Sequence, residues 1–118
     1  QQILIELLLL RFAFLDRTTT ANNHFWPVGN AGWYPHGEDK SLYDQQPVEA
    51  VTMADAALDA YGLLGEERYL AAFHRAHGWF HGLNSLGRSL GVARSGACYD
   101  GLQTSGVNRN QGAESTLA

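Results

Sequence analysis

The first clear pattern in the chain is a run of apolar residues, ILIELLLLRFAFL, over residues 3–15. In a helix of this sequence, apolar side chains fall on nearly every side, which predicts burial between other helices. The run is shorter than the roughly 20 residues that span a bilayer, and Glu6 and Arg11 interrupt it. The basic start and small-residue cleavage site of a signal peptide are also missing. We therefore expect no membrane partner.

Two further stretches, residues 47–63 and 66–82, have apolar residues at helical spacing. The apolar faces consist of Val51, Ala54, Leu58 and Tyr61 in the first stretch and Tyr69, Phe73, Ala76 and Phe80 in the second. Pro47 is tolerated in the first turn of a helix, where its missing N–H would have no helical partner. Gly62 and Gly65 bracket the short connection. This pattern predicts an antiparallel αα-hairpin.

The remaining stretches show neither helical spacing nor useful strand alternation. Residues 18–43 and 85–109 are rich in glycine and polar residues, and a fourth helix starts near Gln111 with no room to finish. Long loops in compact domains are usually functional or disordered, and the aromatic content argues against disorder. We therefore predict an all-α fold with functional loops placed before the helices. Residues 1–118 are expected to form a single partial domain that is cut at both ends.

Composition narrows the classes of partner and compartment. Twelve acidic residues against eight lysines and arginines give a net charge of −4, with no basic stripe to neutralise phosphates. Nucleic acid is therefore not an expected partner. Cys98 is the sole cysteine, so no intrachain disulfide can form and nothing indicates an oxidising compartment. We predict a cytoplasmic protein in which Cys98 is a small buried residue.

Most residues able to carry chemistry lie in three segments, residues 24–39, 43–49 and 98–114, each before a predicted helix. Aromatic rings can stack on the C–H faces of a sugar, while carboxylates, amides and arginine can hydrogen-bond its hydroxyls. A pair of carboxylates can also supply a general acid and a general base at an anomeric carbon. The carboxylate candidates are Asp44, Glu49, Asp100 and Glu114, and the catalytic roles are assigned to Asp44, Asp100 and Glu114.

We expect the three segments to converge on one cavity, because the starts of stacked helical hairpins collect at one end. The predicted substrate-binding residues are His24, Trp33, Tyr34, Gln45, Gln46, Tyr99, Asn108, Arg109, Asn110 and Gln111. Structural roles compete with these assignments. Asp44 can instead cap the following helix, and Glu114 suits the first turn of any helix. Asn108 with Gln111 resembles a capping box, and the aromatic residues of segment 24–39 can pack the loop onto the hairpin.

Three histidines, His74, His77 and His81, form an H-x2-H-x3-H pattern near one face of the third predicted helix. Two histidines at i and i+4 can share a zinc ion. The glutamate of an H-E-x-x-H motif is absent, however, and the surrounding apolar spacing is that of an ordinary core-facing helix. We therefore interpret the three as surface or packing residues and predict no metal site. No phosphate-binding loop, CxxC pair or nucleophile elbow is present, and no cofactor is predicted.

Three long strings of unusual composition carry a resemblance to known proteins: YDQQPVEA, GEERYLAAFHRAHGWFHGLNSLG and GACYDGLQTSGVNRNQGAEST. Over residues 24–118 the chain resembles the C-terminal part of bacterial proteins labelled glycosyltransferases. Their helical domain in turn resembles the six-hairpin glycosidase-like α/α toroid. The resemblance implies paired helices around a ring and a role in carbohydrate metabolism. It places a sugar cavity at residues 44–46, 99–100 and 108–114.

Two hypotheses of function follow from the pattern and the resemblance together. In the first, the chain is a partial α/α toroid from a carbohydrate-active enzyme and is inactive alone; its partners are a sugar or glycan and either the remaining hairpins or a self-associated copy. In the second, it is a non-catalytic helical module that binds glycans or supports a neighbouring domain. The lack of a nucleotide-sugar-binding motif favours the second for this chain alone, whereas the clustered loop carboxylates favour the first for the intact protein. A helical-repeat interaction module fits less well, because the loops are not self-similar.

Overall fold

The computed structural model of the chain describes residues 2–30, 32, 34, 39–92 and 94–117. Within these residues the chain forms four helices and three two-stranded antiparallel sheets. The helices are α1 (Gln2–Thr18), α2 (Pro47–Leu64), α3 (Glu67–Trp79) and α4 (Ala113–Leu117). The strands are β1 (Thr20–Ala21), β2 (His24–Phe25), β3 (Gly91–Val92), β4 (Ala97–Cys98), β5 (Gly101–Gln103) and β6 (Gly106–Asn108).

The strands show that the prediction of an all-α fold is wrong, and with it the partial α/α toroid. The described residues form a mixed α and β structure, since β1–β2, β3–β4 and β5–β6 are hairpins in stretches predicted to be loops. Strands of two or three residues are too short to show the alternation by which a strand is predicted. One local signal was present: Asn22 and Asn23 join β1 to β2 with φ angles of 53° and 63°, which suit a two-residue hairpin turn.

The helical hairpin lies where the apolar spacing predicts it, although α3 ends at Trp79 rather than at residue 82. α2 and α3 are joined by Gly65 and Glu66 and pack along each other. Gly65 ends α2 in the left-handed conformation, with φ at 68°, and its N–H donates to the carbonyl oxygen of Tyr61 over 2.8 Å. Glycine is favoured there because it has no Cβ to clash with the backbone.

The core lies between this helical hairpin and the strands. Trp79 of α3, Leu102 of β5 and Leu90 beside β3 are all fully buried. The helices of the hairpin carry small side chains where they pack. The most buried of these are Ala50, Ala57, Ala72 and Ala76. Burial of each large apolar side chain contributes about 1.5–3 kcal/mol. The anchored leucines hold the β-hairpins against the helices.

Helix α1 forms over the predicted apolar run, but it is not buried. None of its residues is buried, so the described residues do not supply the surrounding helices that the apolar run calls for. Its contacts are at its C-terminal half, where Asp16 pairs with Arg75 of α3 at 3.0 Å and Phe12 meets the ring of Tyr69 edge-on at 5.3 Å. Further towards its start, Ile5, Leu8 and Leu9 line an apolar groove of about 330 Å³ with the end of α2, whereas most of the other large apolar side chains of α1 are exposed. No described helix is long and apolar enough to cross a membrane.

Candidate functional site

A cleft of about 410 Å³ is formed by four parts of the chain that are distant in sequence. These are the turn at Asn30, residues 44–46, the β5–β6 hairpin and the start of α4. We call it the carboxylate cleft, because Asp44, Asp100 and Glu114 all line it. The lining residues are Asn30, Asp44, Gln45, Gln46, Asp100, Gly101, Gln103, Asn108, Gly112, Ala113, Glu114 and Ser115. The three carboxylates with predicted catalytic roles therefore share one cavity.

The segment before α2 is held in the cleft wall by Gln45, which is fully buried. Its backbone exchanges two hydrogen bonds with Leu102 of β5, each 2.8 Å long. Its side-chain oxygen accepts the indole N–H of Trp79 at 2.9 Å, and its side-chain amide donates to the hydroxyl of Ser85 at 3.0 Å. A buried amide is tolerated when such partners satisfy it. The sequence predicts a substrate contact for Gln45, whereas the structure commits its side chain to core partners.

The approach of β5 to this segment depends on a glycine. A Cβ atom at Gly101 would overlap the carbonyl oxygen of Gln45. Any larger residue would push the strand away and break the two hydrogen bonds that Leu102 makes with Gln45. Gly101 is therefore required by the close backbone approach that builds the cleft.

Asp100 links the β5–β6 hairpin to the start of α4. Its Oδ1 atom accepts the backbone N–H of Gly112 at 2.7 Å. Its own N–H donates to the carbonyl oxygens of Asn108 at 3.1 Å and Asn110 at 2.8 Å. The side chain of Asn108 accepts the N–H of Asn110 at 3.1 Å, so it closes a local turn. These contacts fix one oxygen of Asp100 and position its carboxylate in the cleft wall.

Asp44 and Glu114 reach the same cleft by different routes. Asp44 is half-buried, and its carbonyl oxygen accepts the N–H of Asn30 at 2.9 Å. The residue that caps α2 is Gln46, so the alternative role of Asp44 as the cap is wrong. Glu114 is exposed in the first turn of α4, where a negative charge is also favourable for the helix. Asp44 is therefore the carboxylate with the least structural reason to lie where it does.

The cleft is acidic and polar. Among the described residues that line it there are three carboxylates and several carboxamides, but no lysine, arginine, histidine or aromatic residue. Negative potential in a cleft repels anions and attracts neutral polar or cationic ligands. The expectation that aromatic rings share the cavity with the carboxylates is therefore not met by these lining residues.

Several predicted binding residues near the cleft point to other roles. Tyr99, Arg109, Asn110 and Gln111 do not belong to the described lining. The guanidinium of Arg109 lies 5.8 Å from the centre of the Tyr99 ring, a distance at which a cation and an aromatic face attract. Of the predicted run from Asn108 to Gln111, the structure thus brings only Asn108 to the described wall.

Two predicted binding residues of segment 24–39, His24 and Tyr34, lie outside the described lining of the cleft. His24 is buried, stacks on Trp26 with ring centres 5.6 Å apart, and has Nδ1 at 3.2 Å from the carbonyl oxygen of Phe25. Tyr34 is exposed, and Trp33 lies outside the described residues. For His24, packing is the role that the structure supports.

Two titratable groups that flank the cleft residues in sequence have raised pKa values. Burial raises the pKa of Glu49, a half-buried carboxyl in the first turn of α2. Burial, and then the negative charge of Asp100, raise the pKa of the free thiol of Cys98. A thiol with a raised pKa stays protonated and is a poor nucleophile. Cys98 is therefore a buried structural residue, as its isolation in the sequence predicts.

Sequence reasoning missed the neutral part of the lining, chiefly Asn30 and Gln103. Gln103 is the last residue of β5 and precedes a turn, so strand assignment would have been needed to place it. Asn30 lies in a long irregular stretch, and its position depends on its backbone contact with Asp44. The glycines at 101 and 112 were the available signals, because both mark close approaches.

No protein-family model matches the chain, and no curated protein matches it significantly.

Proposed function

We propose that this chain binds a sugar or a glycan in the carboxylate cleft. The observation that carries the proposal is the meeting of Asp44, Asp100 and Glu114 with carboxamide side chains in a single open cavity. Carboxylates accept hydrogen bonds, and carboxamides both donate and accept them. Such a mixture suits sugar hydroxyls, because each hydroxyl can both donate and accept a hydrogen bond. The volume of about 410 Å³ lies within the range of about 300–1,000 Å³ found for small-molecule sites.

Some lining side chains are already hydrogen-bonded within the protein, and others offer their polar groups to a ligand. Asp100 already accepts the Gly112 N–H, so it binds a hydroxyl from a fixed position. The side chains of Gln46, Gln103 and Asn108 supply donors that the carboxylates lack. In this proposal the acidic lining selects against sugar phosphates and other anions. The resemblance of segments 43–50 and 96–116 to proteins labelled glycosyltransferases supports a carbohydrate as the ligand class.

Acid–base chemistry on a glycosidic bond is the second candidate, and the three carboxylates in one cleft favour it. Asp44 and Glu114 are the candidates for the proton-transferring pair, because Asp100 is tied to the backbone. A retaining pair of carboxylates is separated by about 5–5.5 Å and an inverting pair by about 6.5–9.5 Å. Binding is the primary proposal because it needs only the hydrogen-bonding groups of the described lining, whereas catalysis also needs a carboxylate pair at a defined separation.

Binding is tested by recording ¹H–¹⁵N correlation spectra during titration with a panel of neutral mono- and oligosaccharides. We expect shifts to cluster at the amides of residues 44–46, 100–103 and 112–115, and to saturate. Asp44→Asn should weaken binding, because it replaces a charged acceptor by a weaker one.

The matched control is Asp59→Asn, which removes an exposed carboxylate of α2 outside the cleft lining. It should leave sugar affinity unchanged. Saturating shifts elsewhere on the surface, or no shifts with any sugar, would contradict the proposal. Release of reducing sugar that is lost in Asp44→Asn and Glu114→Gln would establish the catalytic candidate.

We also propose a cytoplasmic location for the chain. Its sole cysteine is a buried free thiol, and proteins that keep their thiols reduced are typical of that compartment.

A further inference from the structure

A second feature of the structure lies outside the carboxylate cleft, at the end of α3. His77 and His81 are both exposed, and their ring centres are 4.9 Å apart with an angle of 53° between the ring planes. The sequence alone favours packing or surface roles for these histidines. The ring geometry changes that interpretation, because two imidazoles are held side by side.

The separation of the two rings fits a shared metal ion. A zinc–nitrogen bond is about 2.0–2.1 Å long, so two imidazoles on one tetrahedral ion have ring centres about 5 Å apart. The ring of His77 is also oriented by Phe73, on which it stacks at 5.7 Å with an interplanar angle of 15°. The pair is therefore partly preorganised, which reduces the entropy lost on binding.

The histidine pair opens onto a groove of about 380 Å³ between α2, α3, the β3–β4 hairpin and α4. The described residues contain no group of three or more His, Cys, Asp or Glu side chains placed to hold a metal. An ion at this pair would therefore have two protein ligands, and its remaining positions would face the groove and hold water or a bound molecule. Open positions distinguish such a site from a closed structural one.

We propose that His77 and His81 chelate one late first-row divalent ion, such as Ni²⁺ or Zn²⁺. Imidazole suits these ions, whereas Mg²⁺ prefers oxygen ligands. The backbone of His81 pairs with Ser89 in a bridge, so the ion would join the end of α3 to the segment that leads into β3. His74, one turn earlier, meets the edge of Phe73 instead and stays outside the chelate.

Calorimetric titration of the whole chain with NiCl₂ tests the proposal, with MgCl₂ as the negative control. We expect one Ni²⁺ per chain. His77→Gln or His81→Gln should weaken binding about tenfold or more, because losing one of two linked ligands removes the chelate. His74→Gln is the matched control and should leave the affinity unchanged. Absence of saturable Ni²⁺ binding, or an equal loss in His74→Gln, overturns the site.

A second measurement separates a lost ligand from a damaged fold. NiCl₂ should raise the Tm of the parent chain, because a ligand bound only by the native state stabilises it, and a chelator should reverse the rise. The His77→Gln/His81→Gln double variant should keep the parent Tm without metal, since both side chains are exposed, and should show no rise with it. A rise that survives in the double variant places the ion elsewhere and contradicts the proposal.

Discussion

The side chain of Gln45 hydrogen-bonds Trp79 and Ser85 in the core, while its backbone pairs with Leu102 behind the cleft. Gln45→Leu keeps a similar volume but leaves the buried indole N–H without its acceptor. We expect a loss of about 1–3 kcal/mol in the free energy of unfolding, the usual cost of an unsatisfied buried donor. Urea denaturation measures it. Gln46→Met, at the half-buried neighbour, should change stability little, and an equal loss there would contradict the role given to Gln45.

Glu49 predicts a pH dependence of stability. Because burial raises the pKa of its carboxyl in the folded state, the folded chain binds more protons than the unfolded chain between about pH 4.3 and the raised pKa. The contribution of this group to the free energy of unfolding therefore falls as pH rises through that window. Glu49→Gln removes it. In urea titrations, the free energy of unfolding of the variant minus that of the parent should be larger at pH 7 than at pH 3.5. The opposite trend would show that folding favours the ionised carboxyl of Glu49.

Sequence reasoning found the charged residues of the cleft more readily than the residues that position them. Asp44, Asp100 and Glu114 stood out because a pair of carboxylates can supply a general acid and a general base, although capping and helix-dipole roles competed with that assignment. Gln45 was assigned to substrate, since an amide beside two other polar residues looks the same in sequence whether it faces a ligand or a core indole. Only the contact with Trp79, 34 positions later, distinguishes the two.

At the level of elements, the end of α2 offers a test with two glycines of opposite effect. Gly65 has φ at 68° and Gly62 lies within the helix, and a Cβ at either would meet nothing within 4 Å. Steric overlap therefore does not contribute to the stability change expected for an alanine at either position. Gly65→Ala should destabilise the chain by about 1 kcal/mol through backbone strain. Gly62→Ala should stabilise it by about 0.5–1 kcal/mol through helix propensity.

Thermal and urea unfolding of the two glycine variants give the required differences. The sign is the critical result, because both changes add the same methyl group and neither glycine lines the cleft. If both variants are destabilised, α2 does not end at Gly65 as the structure has it.

The long helices could be predicted from sequence and the strands could not, for a physical reason. α2 and α3 extend over several turns, so their apolar spacing repeats and becomes visible. β5 is three residues long and exists because the backbone of Gln45 pairs with Leu102 on one side and β6 pairs on the other. Such strands are specified by tertiary pairing rather than by local pattern. For that reason the β5–β6 hairpin, which forms part of the cleft, was predicted to be a loop.

For the molecule as a whole, α1 is the part least consistent with an isolated chain. Its exposed large apolar residues are Ile3, Leu4, Ile5, Leu7, Leu8, Leu10, Phe14 and Leu15. Each large apolar side chain that stays in water forgoes about 1.5–3 kcal/mol of burial free energy. A contiguous apolar patch of this kind normally marks an interface. The apolar run that predicted a buried helix therefore becomes a prediction about association.

We expect the isolated chain to self-associate or to be marginally stable. The free energy of unfolding of a protein is only about 5–15 kcal/mol, and the burial free energy forgone by the exposed apolar side chains of α1 is a large fraction of it. Sedimentation velocity over a range of concentrations measures the association. Leu4→Glu with Leu8→Glu should shift the chain toward monomer, since the change places charge on one face of α1. Gln2→Glu adds the same kind of charge to the same helix without removing an apolar side chain, and should not. A parent chain that unfolds cooperatively as a dilute monomer, with no dye-accessible apolar surface, would show that α1 needs no partner.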